Sequence, residues 1–340
     1  MKKFLSFVLL FLAINIPQVF ASEIDVLPTM QSKSNVQDRV WVGTFQIVWN
    51  ELMDRVTFGE VKFIEGNPEN ANLLNKREFS TSNISDKCYY KYMGKISKRT
   101  KGIIEKGIKK KFNEKSDILD QIDWSPRNES YIIYAMLKKD FQFVNAFDKL
   151  GKSKFKDKKT DYFGINRRSD DKLGKGVRVL FYNSPEDYAV VLDTTSNDEV
   201  ILYKTPTSKS FDLIYEDLIK KRDAYRGNTG FAHVDELKIP NIKFFEEKQF
   251  SELTGRRIKG TNLKVDKALE TVKFEMNNQG VKLKSEAAMT MMLTSAGPGR
   301  IEHPRKFYFD DTFVMFLIEK GRKTPYFALR VFDISKFTRG

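Results

Sequence analysis

The last quarter of the chain holds the pattern that decides the fold: LETVKFEMN (Leu269–Asn277), SEAAMTMMLTSAGPGRIEHP (Ser285–Pro304), FVMFLIEK (Phe313–Lys320) and PYFALRVFD (Pro325–Asp333). The first segment alternates apolar and polar residues, which predicts a strand with one buried face. The last two are apolar nearly throughout and flank Gly-Arg-Lys-Thr. They predict a hairpin that is buried within a sandwich or beneath a sheet.

The segment between these strands, Ser285–Pro304, has the composition of a loop. It opens with small residues and contains Gly-Pro-Gly near its end, which predicts an exposed and mobile segment. Loops of this length between core strands are usually functional. We therefore expect the function of the protein to depend on this loop.

The order of these segments resembles the C-terminal end of a serpin. The resemblance covers residues 238–333 best and extends more weakly to residues 130–147 and 177–193. It is carried by these short segments: Asn278-Gln279-Gly280, Ser285-Glu286-Ala287-Ala288, Phe309–Ile318, Phe327–Val331 and, upstream, Leu237–Leu253.

The resemblance implies an α+β fold with N-terminal helices, large and mostly antiparallel sheets, and an exposed loop of the reactive-centre type. A run of helical patterns followed by strand patterns agrees with this class. Helix spacing occurs over Trp41–Val56 and Phe211–Lys221, and a further short helix is predicted over Lys248–Thr254. We expect a monomer with a single serpin-like domain over residues 39–340.

In the serpin family the loop offers a bait bond to a serine protease, and after cleavage it inserts as an extra strand into the central sheet. The spacing typical of the family places the bait bond at Arg300-Ile301, and arginine there implies a trypsin-like target. The hinge by resemblance comprises Gly280, Ser285, Glu286, Ala287 and Ala288.

One departure from the family pattern lies inside this hinge. Val281-Lys282-Leu283-Lys284 stands between Gly280 and Ser285, which makes the loop longer than usual. If the side chain of Lys282 or Lys284 had to enter the sheet interior, burial of its charge would oppose insertion.

The N-terminus predicts export. Lys2-Lys3 precede an apolar run, Phe4–Ile16, and Val19-Phe20-Ala21 follows, as in a secretory signal peptide over residues 1–21. An uncleaved membrane anchor is the alternative, but the apolar run is short for a span of about 20 residues. We expect a secreted or periplasmic protein with a flexible lead over residues 22–38 and no transmembrane anchor.

The composition argues against catalysis. The chain has one cysteine, Cys88, and two histidines, so an internal disulfide is excluded and a standard zinc site is disfavoured. Common nucleotide-binding and hydrolase motifs do not occur. The adjacent pair Asp310-Asp311 on a strand would point to opposite faces. We therefore expect no enzyme activity, no cofactor and no metal, and a structural role for the Cys88 thiol.

The net charge of +14 fits either anionic partners or simply a soluble basic protein, and the second interpretation is favoured; the export signal disfavours nucleic acid. A helical region over Lys95–Asp120 is apolar on one side and basic elsewhere. Its basic residues are Lys98, Arg99, Lys101, Lys106, Lys109, Lys110, Lys111 and Lys115. They either form a polyanion site or are simply a solvated helix face, and the charge pattern favours the second reading.

Three functions follow from the sequence. The first is inhibition of a serine protease through residues 285–304. The second is a non-inhibitory serpin-like protein that holds an anionic polymer on the basic helix of residues 98–115. The third is an exported α+β protein of unrelated fold.

Overall fold

The structure is a computed structural model that describes residues 24–125, 130–282 and 304–338. Helices in these ranges are α1 (Thr44–Leu52), α2 (Glu69–Asn75), α3 (Lys98–Phe112) and α4 (Phe211–Ala224), with a π-helical turn at Met53–Thr57 and 3₁₀ turns at Thr81–Asn83, Asp86–Cys88, Leu119–Gln121, Asp171–Gly176 and Ile334–Phe337. None of these helices has both the length and the apolar character needed to cross a lipid bilayer.

The strands in the described ranges follow in chain order. They are β1 (Asp25–Leu27), β2 (Arg39–Val42), β3 (Tyr89–Lys95), β4 (Tyr131–Leu137), β5 (Asp140–Gln142), β6 (Asp148–Phe155), β7 (Lys158–Ile165), β8 (Val177–Ser184), β9 (Asp187–Asp193), β10 (Asp198–Lys204), β11 (Glu236–Pro240), β12 (Ile242–Gln249), β13 (Leu269–Asn277), β14 (Gly280–Lys282), β15 (Lys306–Tyr308), β16 (Phe313–Glu319) and β17 (Phe327–Val331).

The predicted C-terminal hairpin is confirmed and lies inside the largest sheet. This sheet has the order β1-β2-β17-β16-β10-β9-β8, and Phe313 pairs with Val331 across the hairpin. Every residue of β16 and β17 is buried. Helix α4 packs on the sheet, with the Tyr215 ring centroid 5.1 Å from that of Phe316. The continuous apolar sequence is therefore explained by burial on both faces.

Two smaller sheets carry the rest of the strands that position the site. One has the order β12-β13-β14-β5 and the other pairs β3 with β4. Strand β13 has the predicted bounds, and its alternation places Val272, Phe274 and Met276 in the core. A further sheet, β15-β11-β7-β6, lies elsewhere in the fold.

Three sequence expectations need correction. Residues 25–27 form β1, which pairs in parallel with β2, rather than part of a flexible lead; Ile24 and Val26 are buried there. The helix predicted from Trp41 begins at Thr44, because residues 39–42 pair with β17. The helix predicted over Lys248–Thr254 is absent, because residues 248–249 continue the pairing of β12 with β13 and turns follow.

Candidate functional site: a cleft between two strand edges

A cleft of about 1640 Å³ separates β13 from β4. Residues 269–275 of β13 line one wall and residues 131–137 of β4 line the other, while α1 contributes Phe45, Trp49 and Leu52. The inner surface is therefore largely apolar. The cleft is large enough to hold an extended peptide segment rather than a single small side chain.

Both walls are strand edges that lack a neighbour within the part of the chain that the structure describes. Residues 269–274 of β13 pair only with β12, and β4 pairs only with β3. Strand edges present rows of unpaired N–H and C=O groups, which readily accept another strand. Buried backbone groups of this kind need partners, so the cleft is suited to one additional strand.

Strand β14 already occupies the mouth of this cleft. It pairs antiparallel with β13, from Asn277–Gly280 to Glu275–Lys282, and antiparallel with β5 on its other edge. Neighbouring strands lie about 4.8 Å apart, so β14 holds β13 and β5 two strand spacings apart. Strand β5 follows β4 closely in the chain. The space between β13 and β4 is therefore continuous with the space between β13 and β5, which β14 occupies.

Glycine is required at residue 280 because the backbones of β14 and β5 approach closely at the mouth of the cleft. A Cβ atom on Gly280 would lie 2.3 Å from the carbonyl oxygen of Phe141 and 2.7 Å from the Cα of Gln142. The preceding turn is held by backbone donors, since Phe143 N–H donates to the Gln279 carbonyl at 2.9 Å and Phe147 N–H to the Asn278 carbonyl at 2.9 Å. The chain therefore reverses at a fixed point before β14 begins.

The buried carboxyl of Glu270 lies on the inner face of the β13 wall. Lys248 is directly opposite on β12, but its Nζ donates to Asp25 at 2.7 Å instead. Among the described residues neither Glu270 oxygen has a hydrogen-bond partner of normal geometry. Burial raises the pKa of Glu270 well above its usual range, and the backbone N–H of Phe45 offsets only part of the rise.

A buried ionic cluster anchors the joint between β4 and β5. The Nζ of Lys139 donates to Asp198 Oδ1 at 2.7 Å and to Glu319 Oε1 at 2.5 Å. Tyr326 also donates to Asp198 Oδ1, at 3.0 Å. Burial lowers the pKa of Lys139, but Asp198 and Glu319 outweigh this effect and raise it overall. The cluster ties the second wall of the cleft to β10 and β16.

The thiol of Cys88 is half-buried beside this cluster. Burial raises its pKa, and the neighbouring Lys139 opposes the rise only in part. A thiol with a raised pKa is a poor nucleophile at neutral pH. This environment agrees with a structural role for Cys88.

The basic helix predicted over Lys95–Asp120 corresponds to α3 but is shorter, because Asn113 ends it in the left-handed conformation and Lys115 lies beyond its end. Its outer face carries five exposed cations, none of which forms an ion pair with a described residue: Lys98, Arg99, Lys106, Lys109 and Lys110. At 100° per residue these five fall within about one-third of the helix circumference. Lys101 differs because it is paired with Asp120 at 2.6 Å, and Lys111 Nζ donates to the Asp86 carbonyl at 2.5 Å.

The other sequence-predicted residues fall into two groups. Gly280 is described and lies at the cleft mouth. The remaining hinge and bait-bond residues, Ser285, Glu286, Ala287, Ala288, Arg300 and Ile301, lie outside the described residues.

Asp310 and Asp311 do not converge on one site, as predicted, but they lie between β15 and β16 and not on a strand. Asp310 accepts from Lys204 at 2.8 Å, while Asp311 accepts from the backbone N–H of Thr312. No group of three potential metal ligands occurs within residues 24–125, 130–282 and 304–338.

Sequence reasoning missed the roles of Glu270 and Lys139. The alternating pattern of β13 indicated that Glu270 is buried, because Glu270 is separated from Val272, Phe274 and Met276 by even numbers of residues. A strand residue of that parity points to the same face as its neighbours at i+2 and i+4. Lys139 carried no comparable signal, because its partners are 59 and 180 residues away in sequence.

Comparison with known proteins gives matches only at the level of structure. No model of a known protein family and no curated protein matches the chain. Thyroxine-binding globulin in complex with thyroxine is 10% identical, with a TM-score of 0.51 over 87% of this chain and 92% of the globulin. A 1.55 Å structure of the human globulin gives 10% identity and a TM-score of 0.50 over 86% and 91% of the two chains.

The chain has the serpin fold. Serpin48 of the insect Tenebrio molitor also matches, at 13% identity and a TM-score of 0.47 over 87% of this chain and 91% of its own. The serpin resemblance and the α+β class predicted from the sequence are confirmed. At these identities the likeness is one of fold, and the activity of this chain has to be argued from its own residues.

Proposed function

We propose that this protein inhibits a serine protease by inserting its own loop, residues 285–304, into the cleft between β13 and β4. The observation that carries the proposal is the mouth of the cleft, where β14 already lies between β13 and β5. The chain beyond Lys282 therefore starts at the slot that it would fill. The unpaired edges of both walls offer hydrogen-bond partners to an added strand.

The mechanism needs no catalytic residue from this chain. The serine hydroxyl of the protease attacks the Arg300 carbonyl, and the peptide bond to Ile301 breaks as the acyl-enzyme forms. The freed segment then inserts into the cleft while its end remains esterified to the protease. Insertion moves the bound protease along the sheet and distorts its active site before water can release it. An exported protein, as residues 1–21 predict, would meet a secreted or periplasmic protease.

The test is to incubate the purified mature protein with a trypsin-like protease and to look for a complex that survives SDS. We expect a band of the combined mass with the natural sequence and with Lys284→Ala, and none with Arg300→Ala. Lys284→Ala is the matched control because it removes a different cation, one that directly precedes the loop. If the natural protein is only degraded, or if Arg300→Ala still forms the complex, this proposal is wrong.

A second function, binding of an anionic polymer, is supported by the five exposed cations of α3. Clustered cations without acidic partners attract polyanions in a salt-dependent way. We expect retention on a sulfated polysaccharide column to weaken in Lys106→Glu/Lys109→Glu/Lys110→Glu and to be unchanged in Arg300→Ala. The control is Lys149→Glu/Lys152→Glu/Lys154→Glu, which places the same charge change on β6. An equal loss of retention in both triple variants would mean that net charge alone, and not the position of the cations on α3, accounts for binding.

A further inference from the structure

The outer edge of β3 has no strand beside it among the described residues. Strand β3 pairs with β4 over its whole length, from Tyr89 to Lys95, and with no other described strand. This edge lies on the side of β3 away from β4 and therefore away from the cleft. Strand edges offer rows of backbone groups to another chain, and proteins usually cover or blunt them.

The register of β3 with β4 shows which backbone groups of β3 point outward. Lys138 N–H donates to the Cys88 carbonyl and Ile96 N–H donates to the Ser130 carbonyl, each at 2.8 Å. Hydrogen-bonded and non-hydrogen-bonded pairs alternate along an antiparallel ladder, and this ladder has no bulge. The even-numbered residues of β3 are therefore bonded to β4. The backbone N–H and C=O groups that point to the free edge belong to Tyr89, Lys91, Met93 and Lys95.

Most of these outward groups have no partner in the part of the chain that the structure describes. The Lys95 carbonyl accepts from the Thr100 hydroxyl at 2.6 Å. No described residue bonds to the outward groups of Tyr89, Lys91 or Met93. Each of these three residues offers one donor and one acceptor. The edge therefore presents the backbone ladder that an added strand requires.

Helix α3 places cations beside this edge. The β3 side of the helix is marked by Gly107, where a Cβ atom would lie 2.4 Å from the Tyr90 ring. The opposite side is marked by Lys101, which pairs with Asp120. At about 100° per residue, three exposed residues lie within about 100° of Gly107 on the side away from Lys101. They form no ion pair with a described residue, and they are Arg99, Lys106 and Lys110.

We propose that the free edge of β3 binds an extended acidic segment of a partner protein as an added strand, with its carboxylates against Arg99, Lys106 and Lys110. This inference goes beyond the proposed inhibition, because it involves neither residues 285–304 nor the cleft. It also differs from the binding of an anionic polymer, which requires the cations of α3 but not the backbone groups of β3.

Charge distinguishes an acidic peptide from a second copy of this chain as the occupant. Two copies paired edge to edge would bring together the exposed cations of both α3 helices and the lysines of both β3 strands, and like charges in such positions are destabilising. Lys91 is already paired with Glu51, so the preference for acidic side chains depends on the α3 cations. A sulfated polysaccharide matches these cations but has no peptide groups with which to complete the ladder. An acidic peptide matches both.

The test uses a short fluorescein-labelled peptide of alternating glutamate and valine, whose binding to the full mature protein is followed by fluorescence anisotropy. We expect the peptide to bind, and we expect no binding of an analogue that is N-methylated at every backbone nitrogen and keeps all the charges. Met93→Pro removes an outward N–H but no bond to β4, as a proline on an edge strand permits. It should weaken peptide binding by about tenfold or more and leave retention on the polysaccharide column unchanged.

The contribution of the helix is tested with Arg99→Glu/Lys106→Glu/Lys110→Glu. This variant should also weaken binding of the peptide by about tenfold or more, because three favourable charge contacts become repulsive. The matched control is again Lys149→Glu/Lys152→Glu/Lys154→Glu, which makes the same charge change on β6 and should bind the peptide nearly as well as the natural protein.

Several outcomes would overturn the proposal. Failure of the natural protein to bind the peptide is one. Equal binding of the N-methylated analogue, or equal weakening in the two triple variants, would show that charge alone attracts the peptide. A dimer of the natural protein in sedimentation velocity that Met93→Pro abolishes would show that a second copy occupies the edge. If Met93→Pro does not fold, the N-methylated analogue decides the same question. None of these results depends on the SDS-stable complex with a protease, so the two proposals fail separately.

Discussion

Replacing Gly280 by alanine should force β14 away from β5. The added Cβ would meet the Phe141 carbonyl oxygen at 2.3 Å, whereas carbon and oxygen in close non-bonded contact lie about 3.3 Å apart. The backbone would have to separate by about 1 Å. Hydrogen bonds of about 2.9 Å would then stretch beyond their useful range, and we expect Gly280→Ala to cost about 1–3 kcal/mol of unfolding free energy.

The same glycine-to-alanine change in α3 should raise the unfolding free energy instead of lowering it. Gly102 lies inside the helix, and a Cβ there would meet no heavy atom within 4 Å. Alanine is better than glycine in a helix interior by about 0.5–1 kcal/mol, so Gly102→Ala should stabilise the protein. Guanidinium denaturation followed by tryptophan fluorescence compares both variants with the natural protein, since Trp41 and Trp49 are buried.

The refuting result is a Gly280→Ala protein that is as stable as the natural one. Such a result would mean that β14 does not lie between β13 and β5, and the argument for a slot that begins there would fail. A loss of stability in Gly102→Ala would instead show that the comparison does not isolate the backbone contact.

Two further predictions concern the buried ionisable groups. Lys139→Met leaves Asp198 and Glu319 without their cation and should lower the unfolding free energy by about 3–5 kcal/mol in denaturant titrations. The triple variant Lys139→Met/Asp198→Asn/Glu319→Gln should recover most of this loss. If it does not, the electrostatic explanation is wrong. Because burial raises the pKa of Glu270 in the folded state above its unfolded value of about 4.3, unfolding free energy should fall as pH rises from that value through the folded pKa. Glu270→Gln should abolish this part of the pH dependence, so parallel stability curves for the two proteins between pH 4 and 9 would contradict it.

The sequence predicted the parts of the fold that depend on local pattern. The uninterrupted apolar residues of Phe313–Ile318 are typical of a strand buried on both faces, and the alternation of Leu269–Asn277 predicted both the bounds of β13 and its buried side. By contrast, the Val-Trp-Val of residues 40–42 fits helix spacing as well as strand alternation, and pairing with β17 decided between them.

The cleft could not be predicted from the sequence, because it is a space between two strands and not a pattern of residues. The cleft depends on which edges of β4 and β13 remain unpaired, and edge pairing is a long-range property. Gly280 was identified from the resemblance, and the structure supplies the reason, a backbone approach that excludes a Cβ.

The most direct test of the account is the melting temperature of the mature protein before and after one cut in residues 285–304, with the cut confirmed by the mass of the C-terminal fragment. An inserted segment would add hydrogen bonds along both edges of the cleft, each worth about 1 kcal/mol. After the cost of ordering the segment, a net gain of about 5 kcal/mol would correspond to a rise of about 7 °C, because unfolding entropy is about 2.1 cal/mol/K per residue. A rise of this size is the predicted result, and a fall or no change would contradict insertion into the cleft.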